Sequence, residues 1–445
     1  MKPQAIYNGC FKNITRRDFI RLTSLMAGGL LTGCAVNPVT GRQQLMLVSE
    51  EQEIEMDRRN SPHQFSSDYG AMQDRALNAY ISDVGLKLAS RTHRPRMPYS
   101  FRAVNAVYAN AYAFPGGSIA CTRGILFAIE SEAELAGLLG HELGHVNARH
   151  TAEQMSKGLL VQAFVGGLSA LAGTQGTGYG RLAAQLGMIG AGALLASYSR
   201  DNEREADALG MEYMVRAGYS PKGMISLMET LQRMSDREPS IIELMFATHP
   251  MSRERYRTAL NRAHTRYGGA MHLPLYRERY MDHTTALRAM RRAVQEMQKG
   301  EREIMQERFG LAENHFRKAL RLAPNDYAGL LLMSISLMLQ EKFKQALRYA
   351  LKARQVYPGE AKSYHLSGYV KIRLHDYEGA YRDFTDYDRI LPGNPNITFF
   401  RGYAQEKMHH IKAAARAYHR YLQMVREGEK ARYAYMRLKE WGYYK

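Results

Sequence analysis

The sequence predicts a mainly α-helical protein with a small β-sheet in its first half and a solenoid of helix pairs in its second half. Three observations carry this prediction. Apolar residues recur at helical spacing in both halves, apolar and polar residues alternate over 99–126, and a 34-residue repeat begins near residue 290. The chain has 445 residues, of which 45% are apolar and 23% charged, as in ordinary proteins of two or three domains. Its three cysteines are too few for a fold held by disulfides.

Residues 1–33 have the pattern of an export signal. The segment from Thr15 to Ile20 resembles a twin-arginine motif, and a short apolar stretch leads on to Leu31–Cys34, which resembles a bacterial lipobox. The resemblance implies cleavage before Cys34, lipidation of its thiol and a mature chain anchored in the periplasm. Ala35 after the lipobox favours the outer membrane over the inner membrane. This compartment excludes nucleic acid as the natural partner.

The charge of the chain is unevenly distributed. Lysine and arginine number 61 against 43 aspartates and glutamates, a formal net charge of +18. The leader has five basic residues and one acidic residue, residues 34–265 have 23 of each, and residues 266–445 have 33 basic and 19 acidic residues. The excess in the second half predicts a surface for acidic partners or anionic headgroups, with a solvated helix face as the alternative.

The first domain is predicted over residues 67–266. Before it, residues 34–66 are polar and predict a tether with a short helix near Glu50–Met56. The domain opens with a helix over 71–88, and its longest apolar helical pattern runs from 131 to 152. Three further helices are predicted over 201–217, 221–233 and 252–266.

Between these helices lie the only strand signals and an uncharged stretch. The alternating residues predict two or three short strands with a turn at Pro115-Gly116-Gly117, and Cys121 is predicted to be a small core residue. Residues 158–197 contain one ionised side chain, and glycines divide them into two apolar halves too short to span a bilayer. We predict a mobile or partly buried helical hairpin there, with a membrane-touching segment as the alternative.

The second domain, residues 290–445, repeats every 34 residues. This interval separates Pro324, Pro358 and Pro392, the small residues Gly300, Ser334, Gly368 and Gly402, and the alanines Ala312, Ala346, Ala380 and Ala414. Phe316, Phe384 and Tyr418 share an aromatic position that Ala350 holds in the second unit. The pattern resembles the tetratricopeptide repeat, which implies stacked antiparallel helix pairs with a concave face.

One helix of the first domain carries a metal-binding pattern, His141-Glu142-Leu143-Gly144-His145. Residues four apart lie on one face of a helix, so His141 and His145 can bind one zinc ion. Glu142 lies at the edge of that face, where its carboxylate can take a proton from zinc-bound water and pass it to the leaving amine of a peptide. Apolar neighbours predict a buried helix, in which metal binding offsets the cost of burying these polar side chains.

A third ligand is expected from another helix, because catalytic zinc normally has three protein ligands and one open position. Glu203 and Asp207 lie four residues apart, so Glu203 can bind the metal while Asp207 accepts the outer N–H of a ligand histidine. Glu205 projects about 200° away from Glu203 and is predicted to be a solvated charge. His150 lies about 180° from His141 on the same predicted helix and cannot share its metal.

Together these motifs resemble the HtpX and CAAX-protease-like family of zinc metallopeptidases. The likeness covers, in order between residues 45 and 265, Asn110–Gly117, the H-E-x-x-H pattern, S-R-x-x-E-x-x-A-D from Ser199, and His249-Pro250. It implies a gluzincin-like domain with one zinc ion per chain. The implied ligands are His141, His145 and Glu203, with Glu142 as general base and Asp207 as an accessory catalytic residue.

Two motifs leave alternatives open. Related peptidases pair an edge strand with the extended substrate, so Asn110–Gly117 is either such a strand or an ordinary hairpin. His249 reaches the open position of the zinc, stabilises the oxyanion, or is merely an exposed or helix-capping residue. Integral-membrane members of the family have several long apolar spans, whereas here only the broken 158–197 stretch is comparably apolar. A soluble domain anchored to the membrane by a lipid fits this pattern better than a membrane-embedded active site.

The predicted function is that of a lipid-anchored zinc endopeptidase that cleaves misfolded or stalled envelope proteins selected by its repeats. With its repeats, the chain resembles periplasmic family members that act as protease and chaperone in outer-membrane assembly. That likeness implies the β-barrel assembly machinery as a partner. The alternative is a chaperone or adaptor for outer-membrane assembly whose peptidase is latent. Oligomeric state has no recognisable signal in the sequence.

Overall fold

The computed structural model describes residues 34–41, 43–156, 198–237 and 239–444. The predicted export signal and the predicted helical hairpin lie outside the described residues. No helix in the described part of the chain is both long enough and apolar enough to cross a membrane.

The first domain combines a small sheet with eight labelled helices. Its elements are β1 (Cys34–Val36), β2 (Gln43–Leu45), α1 (Glu50–Ser67), α2 (Arg75–Ala89), β3 (Ser100–Val104), β4 (Ala111–Ala113), β5 (Ser118–Thr122), α3 (Arg123–Ala128), α4 (Glu132–Asn147), α5 (Arg200–Arg216), α6 (Lys222–Arg237), α7 (Pro239–Thr248) and α8 (Arg253–Thr265). Residues 150–156 are also helical. The mainly α fold with a small sheet is confirmed, although α3 and α7 were not predicted.

Three strands form the main sheet, in the order β3-β5-β4. β3 runs parallel to β5 and β4 antiparallel to it, with Ala111 opposite Cys121. The turn between β4 and β5 uses the predicted Pro-Gly-Gly. Gly117 has a backbone φ of +105° there, a value that residues with a side chain rarely adopt. Cys121 is fully buried in the core. β4 therefore lies at an edge of this sheet, beside α4.

The short helix predicted near Glu50–Met56, within the proposed tether, is longer than expected and forms the 18-residue helix α1. Ser49 and Gln52 form a reciprocal capping box at its first turn. Glu53 is fully buried and bonds Arg94 and Arg149 at 2.8 and 3.1 Å. These partners are 41 and 96 residues away, so the local sequence shows only a polar segment.

The second domain is a solenoid of paired helices. Two short helices lead into it, α9 (Arg277–His283) and α10 (Thr285–Ala289), and its own helices are α11 (Arg291–Met305), α12 (Phe309–Leu322), α13 (Tyr327–Leu339), α14 (Phe343–Val356), α15 (Lys362–Arg373), α16 (Tyr377–Ile390), α17 (Pro395–Lys407), α18 (Ile411–Met424) and α19 (Glu429–Glu440). Each helix packs most extensively against its neighbours in sequence. The repeating prolines follow the ends of α12, α14 and α16, where proline cannot extend a helix. The predicted solenoid of tetratricopeptide repeats is confirmed.

Candidate metal centre

The candidate centre is built on α4, which is buried along its whole length. Ser131 caps the helix by accepting a hydrogen bond from the backbone N–H of Glu134, and the acidic first turn complements the helix dipole. A polar side chain inside such a helix is costly unless it finds a partner. His141, Glu142 and His145 are three of these side chains.

Glycines on α4 allow α5 to approach closely. A Cβ atom at Gly144 would lie 2.8 Å from the Cα atom of Ala206, and one at Gly140 would lie 2.9 Å from the carbonyl oxygen of Gly210. Atoms in close-packed protein interiors do not approach so closely, so the helix spacing requires glycine at both positions. Glu203, one turn before Ala206, is thereby held against α4.

Four buried side chains converge between α4, α5 and the loop after α7. Ligand atoms of His141, His145, Glu203 and His249 all lie within 4.8 Å of one another. Nε2 of His141 lies 3.0 Å from Nε2 of His145 and 3.3 Å from Nδ1 of His249. Oε1 of Glu203 lies 3.3 Å from Nε2 of His145 and 3.0 Å from Nδ1 of His249. Three imidazoles and a carboxylate are donors that zinc prefers.

Outer contacts assign the tautomers of two of these imidazoles. Nδ1 of His141 lies 2.9 Å from Oδ1 of Asp207, so this nitrogen donates to the carboxylate and Nε2 is the nitrogen left to face a metal. Nδ1 of His145 lies 2.9 Å from Nδ1 of His150, whose Nε2 lies 3.2 Å from Oε2 of Glu205. Because Nε2 of His150 donates to the Glu205 carboxylate, its Nδ1 is the acceptor for Nδ1–H of His145. The Nε2 atoms of His141 and His145 then face each other at 3.0 Å, where one cation can contact both.

The electrostatics also fit a divalent cation. Burial alone would raise the pKa of Glu203, but His141, His145 and His249 outweigh it and hold that pKa well below its usual range. Burial lowers the pKa of His145 well below its usual value, so this imidazole is neutral and offers its lone pair. The anionic carboxylate of Glu203 and the neutral imidazole of His145 match the donor set of a zinc site, and zinc is the cofactor that fits.

Glu142 lies next to the ligands without belonging to the cluster. Its side chain is 1% exposed, and its Oε1 finds no hydrogen-bond partner in the part of the chain that the structure describes. That oxygen lies 3.8 Å from Nε2 of His249. Burial raises the pKa of Glu142, so the carboxylate accepts a proton more readily than an exposed one. Such an orphaned oxygen is suited to a proton from a molecule bound at the centre.

Arg255 on α8 belongs to the site, although the sequence analysis did not select it. Its Nε and Nη2 each lie 2.8 Å from an oxygen of Asp207, and its Nη1 lies 2.6 Å from Oε2 of Glu203. The guanidinium compensates two buried carboxylates and orients Asp207 towards His141. No spacing rule distinguishes this arginine from the others on α8.

The predictions for His150 and Glu205 need correction. The helix was predicted to continue through residue 152, but α4 ends at Asn147 and Arg149 has a φ of +60°. The helical angle assigned to His150 therefore does not apply, and its buried ring returns to His145 as an outer partner. Glu205 is not a freely solvated charge, because its side chain is 31% exposed and pairs with His150.

The Asn110–Gly117 stretch lies along the same helix. β4 packs against α4 and pairs with β5 on one side only within the described residues. The side chain of Tyr112 packs between Phe65 and Phe114 on the opposite side of the strand from the large core. The geometry combines a hairpin with a sheet edge, so the two alternatives of the sequence analysis are both features of this segment.

A model of peptidase family M48 matches residues 75–263. The chain is 30% identical over 198 residues to the beta-barrel assembly-enhancing protease of Escherichia coli strain K12, and 33% identical over 193 residues to the Yersinia pestis protein of that name. Each match covers 43% of this chain and 40% of the relative. A 30% match over 201 residues to the metalloprotease YcaL of Escherichia coli K12 covers 45% of this chain and 72% of YcaL. The matches thus span less than half the length of the first two relatives.

Proposed function

Because this chain belongs to peptidase family M48, we propose that it is a zinc metalloendopeptidase that acts on misfolded or stalled proteins of the cell envelope. Membership confirms the family resemblance inferred from the motifs. The observation that carries the proposal is the buried cluster of donors beside an orphaned carboxylate oxygen.

In this proposal His141, His145 and Glu203 hold the zinc ion, and Glu142 is the general base. A bound zinc ion would acidify a water molecule and polarise the carbonyl of the scissile peptide bond. Glu142 takes one proton of the attacking water and delivers it to the nitrogen of the leaving amine, so that the carbon–oxygen bond forms as the carbon–nitrogen bond breaks. Asp207, as accessory residue, fixes the ring of His141.

The substrate backbone would add to the edge of β4 that pairs with no other strand in the described residues. An extended peptide at a sheet edge gains main-chain hydrogen bonds without strong sequence choice, as a quality-control peptidase requires. The nearby α4 then places the scissile bond beside Glu142.

His249 supplies a fourth donor, which favours a resting state of low activity. Four protein ligands are typical of a structural zinc site, whereas a catalytic site keeps one position open. Hydrolysis therefore requires His249 to withdraw or the coordination to expand. This observation supports the second candidate function, a chaperone or adaptor with a latent peptidase.

We place the protein in the periplasm, anchored through lipidated Cys34, with the outer membrane favoured. The Escherichia coli and Yersinia pestis relatives are called beta-barrel assembly-enhancing proteases. That name supports β-barrel precursors as substrates and the machinery of β-barrel assembly as a partner. The repeats would select or deliver these proteins.

The proposal is tested with Glu142→Gln. We expect this variant to retain one zinc ion per chain, measured by elemental analysis, and to degrade an unfolded protein at least about 100-fold more slowly than the parent. Glu378→Gln, an exposed carboxylate on α16, is the matched control and should leave the rate unchanged. Equal rates for Glu142→Gln and the parent would exclude this base, and a parent without stoichiometric zinc would exclude the metallopeptidase.

The same variant identifies substrates. Crosslinking Glu142→Gln in its own envelope and analysing the bound proteins by mass spectrometry should yield β-barrel precursors. An empty trap would count against the envelope substrates while leaving the chemistry of the centre intact. If Glu142→Gln rescues a deletion phenotype, the adaptor function is favoured over the peptidase.

A further inference from the structure

The outer end of the solenoid exposes large apolar side chains. Met436 is 68% exposed and Tyr443 51% exposed, and Met424 and Tyr435 are also largely open to solvent. Exposed apolar side chains that lie together on a soluble domain mark a surface that contacts a protein or a membrane. Something other than packing within the described chain accounts for these side chains.

These residues continue rows of cations on the same helix faces. On α18, Lys412, Arg416 and Arg420 are spaced by four residues, and Met424 continues that row. On α19, the outward face includes Arg432, Tyr435, Met436 and Lys439, and exposed Tyr443 follows the end of the helix. The five cations are exposed and have no ion-pair partner in the described chain. We call this combined surface of α18 and α19 the end face.

The two helices form one continuous surface. The rings of Tyr435 and Tyr444 stack with centroids 5.5 Å apart, and Tyr444 lies 6.1 Å from the ring of His419 on α18. Residues 411–445 contain nine basic and three acidic residues, so the end face is strongly cationic. Cations and amphipathic rings are therefore mixed across a single face.

Helix α14, two repeats before α18, has the same row of cations and serves as a comparison. Lys344, Arg348 and Lys352 on α14 have the same spacing and occupy positions 68 residues before the α18 cations. They are exposed and unpaired among the described residues, but α14 exposes no large apolar side chain. The charge alone is thus a general feature of the repeats. Helix α12 also exposes Leu311 and Leu322, at 50% and 57%, beside Lys318 and Arg321, but the exposed tyrosines of the described residues, Tyr435 and Tyr443, both belong to the end face.

We propose that the end face docks the protein onto an anionic membrane surface. Lysine and arginine satisfy headgroup phosphates there, while tyrosine and methionine enter the boundary with the acyl chains. A planar layer of phosphates can pair with cations distributed over two helices, whereas an acidic protein would need carboxylates in matching positions. An acyl anchor at one terminus limits distance from the membrane, and the end face adds a fixed orientation.

The test is binding of the chain from residue 34 onward, with Cys34→Ser, to vesicles, so that neither the leader nor acylation contributes. Phosphatidylcholine vesicles with and without about 30% phosphatidylglycerol are compared by flotation. Replacing Lys412, Arg416 and Arg420 with Gln should lower the partition coefficient about 100-fold, an effect that shrinks between about 0.1 M and 1 M salt. Met436→Ser with Tyr443→Ser should lower it roughly tenfold at both salt concentrations.

The α14 triple variant, Lys344→Gln with Arg348→Gln and Lys352→Gln, is the matched control and should bind within about twofold of the parent. The proposal is overturned if phosphatidylglycerol does not increase binding, if both triple variants lose binding equally, or if the apolar variant binds like the parent. If the parent does not bind vesicles but binds an acidic protein that the α18 variant no longer binds, the end face belongs to that protein instead. All replaced side chains are exposed, so circular dichroism and melting should match the parent.

Discussion

The two ligand imidazoles on α4 differ in what holds their outer nitrogens. His141 is held by a carboxylate that Arg255 orients, and His145 is held by the imidazole of His150. An outer hydrogen bond fixes the tautomer and the ring orientation of a metal ligand. The metal affinity of the centre therefore depends on residues that do not touch the metal.

For His150 this dependence is directly testable. Replacing it with Leu keeps the volume but removes the acceptor for Nδ1–H of His145, whereas Gln keeps an acceptor oxygen. We expect His150→Leu to raise the zinc dissociation constant about 10- to 100-fold and His150→Gln to recover much of that loss. Competition with a chromogenic chelator measures this without reference to activity. Equal zinc affinity in the folded Leu variant and the parent would show that the contact is incidental.

The sequence predicted the part of the site that a single helix determines. His141, Glu142 and His145 share one turn of α4, so their spacing fixes their relation before any tertiary structure is known. Glu203 and Asp207 were accessible by the same argument on α5. His150 follows a break in the helix, and Arg255 meets Asp207 from another element 48 residues away. Their roles follow from tertiary packing, which helical periodicity does not describe.

At the scale of elements, the centre depends on how closely α4 and α5 pack. Gly144 faces the backbone of Ala206, so no flexible side chain can move aside to admit a larger residue. Because Glu203 belongs to the same helix as Ala206, any separation of the two helices also moves a ligand carboxylate.

We therefore expect Gly144→Ala to affect both stability and metal binding. Overpacking of this kind costs about 1–3 kcal/mol, and a shift of α5 should weaken zinc binding along with it. Gly310→Ala is the control, because a Cβ atom there meets nothing within 4 Å on the exposed side of α12. Chemical denaturation should show the control at least as stable as the parent. A Gly144→Ala protein with parental stability and zinc affinity would mean that the helices adjust without cost.

Elements of the repeats were predictable because their packing recurs. A Cβ atom at Gly300, Gly368 or Gly402 would meet the ring of the aromatic residue 16 positions later. In the second unit Ala350 replaces the ring, and Ser334 replaces the glycine that a ring would require. The second unit thus departs from the repeat at both positions of one contact, because a smaller side chain at one position leaves room for a larger one at the other. By contrast, α1 depends on the distant partners of Glu53, and only its first two turns were predicted.

At the scale of the whole molecule, the solenoid holds the segments that flank the sheet edge. Arg123, directly after β5, pairs with Asp326 at the start of α13, and both side chains are buried. Gln298 and Arg291 on α11 donate hydrogen bonds to the carbonyl oxygens of Val107 and Phe127 at 2.7 and 2.9 Å. Removal of the repeats would therefore take away the partner of Arg123 and the donors to both carbonyl groups, and would expose this side of the peptidase domain. Loss of activity in such a truncation would not by itself identify the repeats as the binding part.

A point substitution separates these effects, because Asp326 also caps α13 through the backbone N–H of Gly329. Asn retains the cap but removes the charge, so Asp326→Asn isolates the ion pair. Breaking a buried pair costs about 3–5 kcal/mol, because Arg123 remains buried and uncompensated. The exposed pair of Glu378 and Arg382 should cost less than about 1 kcal/mol when Glu378→Gln breaks it. Denaturant titration measures both losses, and joint replacement with Arg123→Met and Asp326→Leu should recover most of the stability. Similar losses for the buried and exposed pairs would show that the Arg123–Asp326 pair stabilises the contact between the domains no more than a surface pair would.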